Sequence, residues 1–117
     1  MRESITYTKS KSFAVRIIRM YQWITDNKKE YVLSKQCLRS GTSIGANLSE
    51  GMNGQSKSDF IAKLHISLKE AYETQYWLEL IHENKYITGE MFGSINHDCT
   101  ELIKLLTASI NTSKKNL

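Results

Sequence analysis

Six cations in the first third of the chain, Arg16, Arg19, Lys28, Lys29, Lys35 and Arg39, are the side chains best suited to meet an anionic polymer. Guanidinium and ammonium groups on phosphates give affinity without base specificity. Residues 1–57 hold ten Lys/Arg against four Asp/Glu, a net of +6, and residues 58–117 hold six against eight, a net of −2. A basic half of this kind fits phosphate contact. Solvated helix faces, or pairing between the halves of different subunits, account for the same asymmetry. Tyr72 and Tyr76 lie four apart with Trp77 beside them. That spacing suits a stacking platform for bases, and it equally suits a ridge packed in a core or an interface, the commoner fate of aromatics at helical spacing.

No other residue pattern carries chemistry. His65, His82 and His97 are never four apart, and Glu79-x-x-His82 is a single Glu-x-x-His, whereas a di-iron bundle needs two of them plus two further carboxylates. Gly51-Met52-Asn53-Gly54 lacks the lysine and the preceding strand of a phosphate-binding loop. Cys37 and Cys99 have no metal-type spacing and fall on apolar stripes, the pattern of reduced, buried thiols. The expectation is a protein that is not an enzyme and holds no metal or cofactor.

The elements that would position these groups are helical. The 117 residues contain no proline and suffice for one domain, 1–117. Phe13, Ile17, Met20, Tyr21 and Ile24 mark a first helix over 10–26, with Ser10 or Ser12 as its cap and residues 1–9 as an arm. Leu33, Cys37, Gly41, Ile44, Leu48 and Met52 form the stripe of a second helix over 31–52. A row of Gln36, Ser40, Ser43, Asn47 and Glu50 runs beside that stripe, about 110° round the helix. It serves either as hydrogen-bonding groups toward a neighbouring helix or subunit, or as an exposed polar flank. Gly41 and Gly45 each cost about 1 kcal/mol against alanine in a helix, so they point to a close approach by another backbone. Gly51 or Gly54 suits a left-handed cap. Ser56 and Asp59 open a third helix over 57–84, whose stripe is Phe60, Leu64, Ser67, Leu68, Ala71, Thr74, Gln75, Leu78 and Ile81. Thr88 caps a fourth over 89–112, with Met91, Ile95, Cys99, Leu102, Leu106 and Ile110 inward and a polar tail from Asn111. Four amphipathic segments with short connectors predict an all-α, antiparallel up-down-up-down four-helix bundle. No apolar run approaches the ~20 residues needed to span a bilayer, and the first residues lack an apolar signal core. A cytoplasmic protein without a membrane partner is expected.

Gln36-x-x-Arg39-x-x-x-Ser43-Ile44-x-x-Asn47-Leu48-x-Glu50-Gly51, followed by Ser58-Asp59-Phe60 and Ser67-Leu68-Lys69-Glu70, resembles the bacterial four-helix bundle proteins known as 23S rRNA intervening-sequence proteins, or the S23 ribosomal protein family. The resemblance runs from about Phe13 to Ile110. It implies a ring-like homopentamer with a non-enzymatic role. Some members of the family are encoded within insertions in 23S rRNA genes. The accessory variability protein of diversity-generating retroelements is similar in fold, and it binds a reverse transcriptase and nucleic acid through a basic surface. The implied partners are therefore further copies of the chain, RNA or DNA, and a reverse transcriptase. Gln36, Ser43, Asn47 and Glu50 of the motif are members of the polar row already described, Gly41 and Ile44 belong to the small and apolar stripe of the same helix, and Gly51 stands at its end.

Overall fold

The computed structural model describes residues 2–116, with side chains from residue 5 onward. Four helices follow one another: α1 (Arg2–Lys28), α2 (Leu33–Met52), α3 (Lys57–Glu83) and α4 (Gly89–Lys115). Each packs antiparallel on its neighbour in sequence, and α4 closes against α1. The diagonal pairs stay apart among the described residues. The α2/α3 contact is the most extensive and the α1/α4 contact the least. The bundle is a rod of 47 × 21 × 19 Å.

The core follows the predicted stripes. Phe13, Ile17 and Ile24 of α1, Cys37 and Ile44 of α2, Leu64, Ala71, Leu78 and Ile81 of α3, and Cys99, Leu102 and Leu106 of α4 are all at most 1% exposed. On α3 the first inward residue is Ile61, while Phe60, Leu68 and Gln75 are half-buried at the margin. Met52, expected inside, is exposed.

The outer helices are longer than their apolar stripes suggest. Residues 2–9 are not an arm: α1 begins at Arg2, and Thr6 and Ser10 carry its buried face downward at 1% and 0% exposure. Ser10 is an interior residue and not a cap. Its Oγ donates to the Tyr7 carbonyl at 2.6 Å. The tail is helical too, with Ser109 and Ser113 buried and α4 continuing to Lys115. The Ser10 hydroxyl, bonded to its own helix, fills the space of an alanine with little polar cost, whereas the buried Ser109 Oγ has no hydrogen-bond partner among the described residues.

The glycines of α2 explain the close approach. A Cβ on Gly41 would stand 2.9 Å from both Ile17 Cγ1 and Cγ2, and one on Gly45 would stand 3.0 Å from Ser10 Oγ. The nearest approaching atoms belong to α1 side chains; at Gly45 a backbone atom, the Ser10 carbonyl carbon at 3.8 Å, also comes within van der Waals contact. Gly51 stays inside α2, where a Cβ would meet Lys63 Cβ at 2.9 Å, and no glycine takes a left-handed conformation. Asn53 closes the helix instead.

Two of the expected caps are present: Ser56 Oγ accepts from the Asp59 amide and Thr88 Oγ1 from the Met91 amide, both at 3.1 Å. The cap of α2 comes from a residue outside the predicted pattern. The Glu30 carboxylate accepts the amides of Val32, Leu33 and Ser34, each at 2.8 Å, which delays the start of α2 from Tyr31 to Leu33. Burial pushes the Glu30 carboxyl up, but the hydrogen bonds from Ser34, Leu33 and Val32 outweigh it and hold the group below its ordinary 4.5. A carboxyl with a depressed folded pKa contributes stability above its unfolded value and loses it as pH falls through the folded one. Glu30→Ala is therefore expected to cost about 1–2 kcal/mol at neutral pH, as loss of a strong N-cap does. In urea titrations the gap between variant and wild type should close as pH falls below the ordinary carboxylate range.

Candidate nucleic-acid interface

The polar row of α2 does less across helices than its spacing suggests. Ser43 Oγ donates to the Arg39 carbonyl at 2.7 Å and Asn47 Nδ2 to the Ser43 carbonyl at 2.8 Å, both within α2. Gln36 is exposed. Two members reach α3. The buried Ser40 Oγ lies 2.8 Å from Thr74 Oγ1, which also lies 2.8 Å from the Glu70 carbonyl oxygen. Glu50 accepts from Lys63 Nζ at 2.7 Å. Ser67, outside the row, donates to the Ile44 carbonyl at 2.9 Å. The motif therefore fastens α2 to α3 and presents no open site.

The six candidate cations fall into three places. Arg39, on the α2/α3 face, is spoken for: it donates to Glu70 at 3.2 Å and to Glu73. Lys35 stands exposed on the outside of α2. Lys29 sits at the tip of the bundle in the connector after α1. Arg16, Arg19 and Lys28 turn toward the seam between α1 and α4. The six do not form one surface.

The seam has a closed half and an open half. In the closed half Lys9 pairs with Glu101 at 3.2 Å, and Arg16 pairs with Asp98 at 2.6 Å while its other nitrogen donates to Ser94 Oγ at 2.8 Å. Beyond Arg16 no ion pair crosses from α1 to α4 among the described residues. There the seam opens into two adjoining hollows of about 320 and 340 Å³ that share Trp23 as a wall. Met20, Met91 and Ile95 floor the first; His82, Tyr86 and Thr88 border the second. Arg16, Arg19, Lys28 and Lys85 line the pair, and among the described residues no carboxylate does. Lys28 Nζ lies 5.8 Å from the centre of the Trp23 ring. His82 stacks on Phe92 at 4.5 Å between centroids, so the Glu79-x-x-His82 spacing ends in an aromatic contact.

Lys85 is a site residue that the cation count passed over. It ends α3 with φ 65°, as Lys29 ends α1 with φ 54°, at the same end of the bundle. The left-handed region favours glycine at such positions. Glycine is expected to stabilise either position by about 1 kcal/mol, read as a raised melting temperature in Lys29→Gly and Lys85→Gly. Two lysines thus stand where the backbone would favour glycine.

The aromatic ridge lies elsewhere. Tyr72 and Tyr76 are 53% and 54% exposed on the outer face of α3, so neither is a core residue of this chain. Trp77 is half-buried, edge-on to Tyr76 at 5.2 Å. Both thiols are fully buried, and burial pushes Cys99 up to about 12, with the Glu79 charge adding to it. Cys37 is raised by burial and then by Cys99. No helix among the described residues is long and apolar enough to cross a membrane.

The profile of the 23S rRNA-intervening sequence proteins matches residues 2–108. The crystal structure, at 1.70 Å, of a protein of unknown function from the S23 ribosomal protein family of Bacteroides thetaiotaomicron VPI-5482 superposes with a TM-score of 0.93. The two chains are 53% identical, and the match covers 95% of this chain and 99% of that one. Among curated proteins none matches.

Proposed function

Since the chain belongs to the family of 23S rRNA-intervening sequence proteins, we propose that it is a non-enzymatic, oligomeric nucleic-acid-binding protein. The observation that carries this reading is the unequal commitment of its cations. Arg39 and Arg16 are held by carboxylates, whereas Arg19, Lys28 and Lys85 face the open seam with none lining it. The basic surface is thus assigned to the α1/α4 seam and the bundle end, not to α1 and α2 together. Contacts of this type bind phosphate with little sequence preference and weaken steeply with salt. In a low-salt gel shift with RNA the full chain should form a complex at roughly tens of micromolar or below, the range of non-specific binding. No complex under those conditions overturns the reading.

A scaffold role is favoured by a different observation. Ile66, Tyr72 and Tyr76 on α3 and Val15 and Ile18 on α1 are all exposed apolar side chains. These side chains lie on two diagonally opposed helices, so the apolar exposure falls on two separate sides of the bundle, as contact between more than two copies would use it. The family resemblance carries the further expectation of a pentamer and of a reverse transcriptase as partner. Light scattering should give a mass near five times the 13.5 kDa protomer. A clean monomer would remove the assembly.

A further inference from the structure

We infer that the open half of the α1/α4 seam is a groove for single-stranded RNA, with Trp23 as the platform on which an unpaired base stacks and Arg19, Lys28 and Lys85 as the phosphate contacts. The inference deepens the nucleic-acid reading above and rests on it.

Four observations converge on this stretch. The seam opens where the ion pairs across it end, and it belongs to the least extensive of the helix contacts. Its two hollows adjoin at Trp23, a half-buried indole that lines both of them, with Lys28 Nζ already over its ring. Their lining carries cations of both α1 and the α3–α4 connector and, among the described residues, no carboxylate. Lys85, which reaches in from that connector, holds a left-handed backbone that glycine would adopt more easily. A cationic groove with an aromatic platform matches the chemistry of an unpaired strand: every base has a face to stack, and every nucleotide brings a phosphate.

The shape argues against other occupants. A duplex buries its base faces and offers nothing to a recessed indole. Arg19 and Lys28 are nine residues apart on α1, about 14 Å along the axis, so the contacts follow a strand lengthwise. His82 and the Thr88 hydroxyl at the border are hydrogen-bonding partners for a ribose 2′-hydroxyl, and this favours RNA over DNA.

The test is a fluorescence-anisotropy titration of the full chain with a labelled oligouridylate, the matching oligodeoxynucleotide, an RNA hairpin and an acidic, apolar peptide. The oligouridylate should bind tightest. Its log affinity should fall against log salt with a slope near −2, about −0.7 for each of three phosphates. Trp23→Leu and Arg19→Ala should each weaken it about tenfold, and Arg19→Ala should flatten the slope by roughly 0.7. Lys85→Gly is the decisive variant, because it should melt higher than wild type and yet bind more weakly, which no folding defect can produce. Lys35→Ala, on the outside of α2, should bind as wild type does. If the wild type binds none of the nucleic acids, the proposed function falls and the groove with it. If the wild type binds RNA but the three seam variants match it, the groove alone is wrong. Tighter binding of the hairpin or of the peptide also overturns it, and equal binding of the deoxy strand overturns the preference for RNA.

Discussion

Gly41→Leu should unfold the protein or leave it at least about 4 kcal/mol less stable, a large share of the 5–15 kcal/mol that holds an ordinary domain. The first atom of any new side chain already stands 2.9 Å from two carbons of Ile17, which is fully buried and packed in the centre of the core. Leucine adds three more carbons in the same direction. Gly41→Ala should cost less, about 1–3 kcal/mol, because the steric conflict exceeds the helix propensity gained. The conflict belongs to one pair, so it can be isolated. Ile17→Ala alone should cost about 2–5 kcal/mol. In that background Gly41→Ala should be neutral or stabilising, since the added methyl fills part of the space released. Denaturant midpoints of the four proteins check this. Additive losses would mean that Gly41 is required for some reason other than its contact with Ile17. A Gly41→Leu protein with the wild-type melting temperature and oligomer size would refute close packing outright.

Phe13→Ala should cost about 3–5 kcal/mol, at the upper end for a buried aromatic. Phe13 is 1% exposed and meets the Leu102 region where α1 and α4 face each other. That interface is the least extensive in the bundle, with little else to compensate. Outside the core it is held by two surface ion pairs, Lys9–Glu101 and Arg16–Asp98, of the exposed kind worth at most about 1 kcal/mol each. The loss should therefore be uneven. Amide exchange should quicken most in the first half of α1 and the second half of α4, while the α2/α3 pair, stitched by Ser67 to Ile44 and by Ser40 to Thr74, keeps its protection. Uniform loss across the four helices would show that the bundle opens only as a whole.

The fold was legible because apolar spacing reports which face turns inward. Phe13, Ile17, Met20 and Ile24 on α1, and Ile95, Cys99, Leu102, Leu106 and Ile110 on α4, are buried as the pattern requires. The same rule failed at both ends of the chain. Thr6, Ser10, Ser109 and Ser113 are inward, but a hydrophobicity count scores them as solvent-facing. Nothing local says that a narrow interior will accept a hydroxyl. Glu30 was passed over for a related reason: a carboxylate in a charged connector reads as surface until three amides are seen converging on it. The candidate site was only half legible. Cation identity is plain in the chain, but whether a cation is engaged depends on distant partners. Asp98 lies 82 residues beyond Arg16, and Glu70 lies 31 beyond Arg39. Lys85 left one trace, its place in the short Asn84-Lys85-Tyr86-Ile87 turn between α3 and α4, but its left-handed backbone comes from the turn's geometry and not from its type.

The hydroxyls that line this interior have a calorimetric consequence. Heat capacity rises on unfolding in proportion to the apolar surface released and falls with the polar surface released. Thr6, Ser10, Ser34, Ser40, Ser67, Thr74, Ser109 and Ser113 put hydroxyls at buried positions, and the buried Gly41 and Gly45 carry no side chain at all. The heat-capacity step of unfolding should then lie at or below the low end of the usual ~12–15 cal/mol/K per residue. A small step flattens the dependence of stability on temperature. Scanning calorimetry should find a protein that loses stability slowly on cooling as well as on warming, with the curvature set by serines.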